Sequence, residues 1–160
     1  MTIKVGDKIP AVTLHTMTKD GPKPVSSDEL FRGKKVAVFG LPGAFTPTCS
    51  AKHLPGFVKK AASFKKKGVD QVVCLSVNDA FVMGAWGKDQ KVGSKVLMVA
   101  DGDANFTKAA GLELDLNGRG LGLRSQRFAM VVDKGVVKSL AIDPPGTFAQ
   151  TSAEETLKRL

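Results

Sequence analysis

The sequence predicts an α/β domain built on a mixed central β-sheet flanked by helices. Two observations carry this. Apolar runs of strand length alternate with segments whose apolar residues recur at helical spacing, and the last two runs are joined by a Lys134-Gly135 turn. Strands linked through helices are expected to run parallel, whereas a two-residue turn makes its strands antiparallel. With 160 residues, the chain is expected to form one domain over 1–160, large enough to hold its core without disulfide staples.

Taken in order, Ile9 to Leu14 reads as an edge strand, and Ser26 with Glu29 offers a capping box to a short helix ended by Gly33. Val36 to Gly40 is a buried strand, followed by a loop from Leu41 to Thr48. Leu54, Phe57, Val58, Ala61 and Phe64 then mark one helix face, with Lys59, Lys60, Lys65, Lys66 and Lys67 on the other and Gly68 as the stop. The continuous apolarity of Val72 to Val77 predicts a central strand covered on both faces. Asn78 or Asp79 caps a helix carrying Phe81, Val82, Ala85 and Trp86; Val96 to Val99 is a strand and Asn105 to Ala110 a short helix. Arg127 to Asp133 and Val136 to Ile142 form the hairpin, and Thr151 or Ser152 caps a last helix. Between them, Gly118 to Gly122 lacks the strand-to-helix setting of a phosphate cradle and reads as a flexible connection.

The composition, 42% hydrophobic and 24% charged, is that of a globular chain. Its net charge of +9 does not point to nucleic acid, because only five of the 24 basic residues are arginines and runs such as Lys65-Lys66-Lys67 read as a solvated helix face. No apolar run approaches the ~20 residues that cross a bilayer, and the start lacks a basic region followed by an apolar one. Neither a membrane span nor secretion is expected. Two cysteines without a framework fit reduced thiols and a cytoplasmic location.

Cys49 is the residue most suited to chemistry. It follows a Pro-, Gly- and Thr-rich loop after a buried strand and opens a helix, where unpaired amides and the helix dipole favour thiolate over thiol. Pro42 and Gly43 allow close approach of the main chain to a bound substrate, and the Thr46 hydroxyl can accept and donate hydrogen bonds near a bound oxygen species. The plain alternative, a buried small hydrophobe, suits Cys74 inside its apolar strand far better than Cys49.

The run Pro42-Gly43-Ala44-Phe45-Thr46-Pro47-Thr48-Cys49 resembles the active-site motif of the peroxiredoxins, in wording most like their atypical type II, or type five, branch of plants and bacteria. The likeness continues through Lys52 to Phe57, Ser76 to Asp79, Phe81 to Met83, Ala100 to Gly102, Gly111 to Asp115 and Arg127 to Val132. The resemblance implies a thioredoxin-like fold and a thiol-dependent peroxidase acting on hydrogen peroxide and alkyl hydroperoxides. In it Cys49 is the peroxidatic cysteine, Thr46 its hydroxyl partner and Arg127 the active-site arginine, with Arg124 in a supporting salt bridge. No metal or organic cofactor is expected. Cys74 stands where plant-like relatives carry a second cysteine, which leaves it open as a resolving residue, although its strand position disfavours a bridge. Glutathione with glutaredoxin, or thioredoxin, is therefore the expected reductant, and a homodimer is the family expectation.

Three other readings bear on the same residues. A thioredoxin-type disulfide oxidoreductase would use Cys-x-x-Cys, which does not occur. A cysteine hydrolase would need a histidine base; His53 lies at helical spacing from Cys49 but reads as a surface or helix-packing residue. A noncatalytic redox-sensing or binding module on the same fold is the remaining alternative.

Overall fold

A computed structural model describes the whole chain, Met1–Leu160. Seven of its nine strands share one mixed sheet. In chain order the elements are β1 (Thr13–Thr18), β2 (Gly21–Ser26), α1 (Ser27–Phe31), β3 (Lys35–Leu41), α2 (Leu54–Lys66), β4 (Gln71–Ser76), α3 (Ala80–Asp89), β5 (Leu97–Ala100) and α4 (Asn105–Ala109). There follow β6 (Glu113–Leu116), β7 (Gly122–Ser125), β8 (Arg127–Asp133), β9 (Val136–Asp143) and α5 (Ala153–Lys158). The sheet order is β2-β1-β5-β4-β3-β8-β9, and β6 pairs β7 separately.

The two-residue period of the central strands divides the core. Ala37, Phe39, Leu41 and Cys74 enter one apolar cluster, with Leu54, Phe57 and Phe64 of α2, Met83 and Trp86 of α3 and Ala153 of α5. Val36, Val38, Val73 and Leu75 enter another, with Leu30 and Phe31 of α1 and Phe106 of α4. Helices thus cover both faces, which is why β3 and β4 read as unbroken apolar runs.

As expected, β3, β4 and β5 are parallel and β8–β9 is an antiparallel hairpin. The capping box of Ser26 and Glu29 is present, Asp79 rather than Asn78 caps α3, and Ser152 caps α5.

Three expectations need correction. Ile9 to Leu14 is not the edge strand: β1 starts at Thr13, lies inside the sheet and runs antiparallel to β5. The edge is β2, whose Pro22 and Pro24 look like strand breakers but share one parity, so both missing N–H groups can face away from β1. Gly118 to Gly122 is not a loose connection but the bend of the short β6–β7 hairpin, made with positive φ at Gly118, Gly120 and Gly122. Finally, Cys49 does not open a regular α-helix. The helical path begins at Pro47 and passes through a π-helical turn, Cys49–His53, before α2.

Candidate active site

The loop after β3 is held from three sides at the ends of the parallel strands, where α/β sheets gather their binding sites. Asn78, just past β4, accepts the Ala44 amide at 3.0 Å and the Ser76 hydroxyl at 2.6 Å through the same Oδ1. From β7, Arg124 donates to the carbonyls of Pro42 (3.3 Å) and Leu121 (2.9 Å). It forms no salt bridge, contrary to expectation; the two ion pairs of the chain are Arg32–Asp28 and Lys158–Glu155. A guanidinium has five donors and no need of a carboxylate where backbone carbonyls are near. From α3, the Trp86 indole donates to the Ser50 hydroxyl at 3.1 Å.

Within the loop, Gly43 is the point of closest approach, although the neighbour that crowds it is Arg124: a Cβ there would meet Nη1 at 2.7 Å. The Thr46 hydroxyl donates to the Gly43 carbonyl at 2.7 Å, so it faces any further partner as an acceptor. Phe45 takes φ 63° and is 53% exposed, with its ring 6.4 Å from that of Trp86.

The π-helical turn has a local cause. Pro55 has no N–H and its ring crowds the carbonyl four residues back, so a wider turn immediately before it gives the ring room. The Leu54 amide accordingly reaches back five residues to the carbonyl of Cys49.

Cys49 is fully buried, as a free thiol, and its sulfur lies 3.2 Å from Nη2 of Arg127. Register explains the meeting. Phe128 pairs with Gly40, so Arg127 starts β8 beside the end of β3. Gly40 permits this because a Cβ there would fall 2.0 Å from the Phe128 ring. The other terminal nitrogen of Arg127, Nη1, lies 2.9 Å from Nδ1 of His53.

His53 is where the structure departs most from the sequence reading. It is neither a surface residue nor only helix packing, but fully buried, with ring neighbours Phe39, Phe57 and Phe148. Its Nε2 lies 2.9 Å from the Thr151 carbonyl. A carbonyl can only accept and a guanidinium can only donate, so the ring carries its proton on Nε2 and accepts at Nδ1. Burial, and then the charge of Arg127, lower its pKa to about 3. With both nitrogens engaged, His53 has no lone pair to act as base for Cys49, and the hydrolase reading loses its base. Helical spacing had signalled the nearness of the two residues; the arginine between them had no signal.

Asp143 stands opposite Arg127 in register, yet its carboxylate turns to the segment 149–151. It accepts the amides of Ala149 (2.9 Å), Gln150 (3.0 Å) and Thr151 (3.1 Å) and the Thr151 hydroxyl (2.7 Å). Burial opposes the charge, but these donors together hold the carboxyl below its ordinary range.

A cavity of about 40 Å³ lies beside Pro42 and Arg127, lined also by Leu114, Gln126 and residues 143–146. It has room for a molecule of water-like size, which occupies roughly 30 Å³ in the liquid. The larger hollow of about 530 Å³, near the start of β4, is open and lies at the other end of that strand from Asn78. Cys74 sits in β4, fully buried, between Phe39 of β3 and Met98 of β5. Burial, and then the neighbouring Cys49, push its thiol well up.

Comparisons with known proteins show the family of the whole chain. The Redoxin family model matches residues 4–157. Peroxiredoxin-2E, chloroplastic, of Arabidopsis thaliana is 48% identical over 163 residues, covering 99% of this chain and 70% of its own length. Peroxiredoxin-2B of the same plant is 48% identical over 159 residues, covering 99% and 98%. A crystal structure of reduced Prx3 in complex with H2O2 from Vibrio vulnificus superposes with a TM-score of 0.94 at 51% identity, covering 98% of each chain.

Proposed function

Because this chain belongs to the Redoxin family and is a thiol-dependent peroxidase of the type II peroxiredoxin kind, with a thioredoxin-like fold, we propose that Cys49 is its peroxidatic residue. The observation that carries this assignment is the 3.2 Å approach of Arg127 Nη2 to the Cys49 sulfur. A permanent cation beside the sulfur favours a thiolate and offers donors to a peroxide oxygen. The sulfur attacks the terminal oxygen of the peroxide, forming an S–O bond as the O–O bond breaks. The electron pair leaves on the second oxygen, which takes up a proton as water or alcohol, and Cys49 becomes a sulfenic acid. Arg127 stabilises charge moving onto the leaving oxygen. Thr46 accepts from the peroxide O–H, and Pro42 and Gly43 form the wall of the substrate site.

For regeneration we favour an external thiol. It condenses with the sulfenic acid to a mixed disulfide and water, and a second thiol then releases Cys49. The burial and raised pKa of Cys74 support this against an internal bridge. Glutathione with glutaredoxin, or thioredoxin, would supply the thiol. Two free thiols suit a reducing compartment such as the cytoplasm, and exposed Phe45 and Phe81 offer apolar area for a homodimer.

One equivalent of peroxide, followed by intact mass and thiol trapping, tests the reading. It should give one sulfenic acid at Cys49 and no internal disulfide, and Cys49→Ser should abolish turnover. Full turnover by that variant would end the assignment, and a Cys49–Cys74 disulfide would end the external-thiol model.

A further inference from the structure

Resting on that reading of Cys49 and Arg127, we infer that His53 is a positioning residue for the peroxide reaction: it fixes the Arg127 guanidinium over the Cys49 sulfur, and is itself held by the segment that Asp143 clamps. The contacts form one chain. Asp143 accepts four hydrogen bonds from residues 149–151 and so fixes the Thr151 carbonyl. That carbonyl accepts from Nε2 of His53 at 2.9 Å. Nδ1 of the same ring faces Nη1 of Arg127 at 2.9 Å, while Nη2 faces the sulfur at 3.2 Å.

An arginine side chain is long and flexible, and one contact to sulfur leaves its planar head free to swing. A second acceptor on the neighbouring nitrogen fixes the plane, and with it the donors left for a peroxide oxygen. A neutral acceptor in this place orients the guanidinium without an ion pair that would compete with the sulfur for its charge. Imidazole is neutral and, hemmed by Phe39, Phe57 and Phe148, cannot rotate freely. Packing alone would need an aromatic ring but no nitrogen aimed at Arg127.

The test compares two reactions of the full-length reduced protein at one pH: hydrogen peroxide and iodoacetamide, both at Cys49. The oxygen-specific donors of Arg127 matter to the first far more than to the second, so the ratio of the two rates reports positioning. Arg127→Gln should lower that ratio on the order of a hundredfold. His53→Phe, which keeps the ring, and His53→Gln, which keeps only a donor near the Nε2 position, should each lower it on the order of tenfold. His53→Asn places its Oδ1 where Nδ1 stood and should recover most of the loss. If His53→Phe and His53→Gln keep the wild-type ratio while Arg127→Gln loses it, the inference about His53 falls and the active-site reading stands. If Arg127→Gln also keeps the ratio, the active-site reading falls. Should His53→Phe not fold, the Asn and Gln variants carry the comparison, and equal ratios in those two overturn the inference.

Discussion

Asn78 accepts the backbone amide of Ala44 at 3.0 Å, so the end of β4 holds the loop that carries Thr46 toward Cys49. The same oxygen accepts the Ser76 hydroxyl. Asn78→Ala should therefore leave an amide and a hydroxyl without their acceptor. We expect a stability loss of about 1–3 kcal/mol in urea unfolding. The peroxide rate should fall on the order of tenfold through loosened geometry. An unchanged rate in stopped-flow would show that the loop keeps its shape without Asn78.

Gly43 and Arg124 should behave as a coupled pair. Gly43→Ala forces Nη1 of Arg124 away from the Pro42 carbonyl, because the new Cβ would lie 2.7 Å from it. The single variant should lose about 1–2 kcal/mol, and combining it with Arg124→Ala should add less than the sum of the two. Strict additivity in a double-mutant cycle would refute the contact.

Thr46 should tolerate serine and not valine. Its hydroxyl donates to Gly43 and leaves its lone pairs for a substrate. Thr46→Val is close in shape but lacks both functions; the peroxide rate should drop by about 10²-fold, while Thr46→Ser should stay within a fewfold of wild type. Equal rates for the two variants would remove the hydroxyl from the mechanism.

Acid should destabilise the fold in two stages. His53 has a folded pKa of about 3, below its ordinary 6.5, so between these values the unfolded chain binds the extra proton. Its stabilisation is complete above pH 6.5 and is lost as pH falls toward 3, at a slope of at most about 1.4 kcal/mol per pH unit. Asp143, also lowered, adds a loss that begins only near pH 4 and deepens as its own carboxylate is protonated. Urea unfolding from pH 7 to 4 should show the first slope in the wild type and lose it in His53→Phe. A wild-type stability that is flat from pH 7 to 5 would contradict the buried neutral ring.

What was legible in the sequence follows from the range of the interactions. The central strands, the caps at Ser26, Asp79 and Ser152 and the special standing of Cys49 depend on residues within a few positions of one another, so local pattern suffices. Arg127 entered only through family resemblance, because its partners lie 74 and 78 residues away. His53 carried a spacing signal without its meaning, since spacing cannot say that a third residue stands between two others. Asn78 was visible as a cap candidate, and only tertiary contact shows it serving the loop while Asp79 caps the helix. The β1–β2 and β6–β7 hairpins were hidden because Pro22, Pro24 and the glycines of 118–122 signal breaks when read locally.

The prolines of β2 have a consequence beyond pairing. An outer strand with free N–H groups is a template on which another chain can add, the first step toward aggregation. Here Pro22 and Pro24 remove donors from that row, and Lys23 between them is exposed. This margin of the sheet therefore resists growth by strand addition.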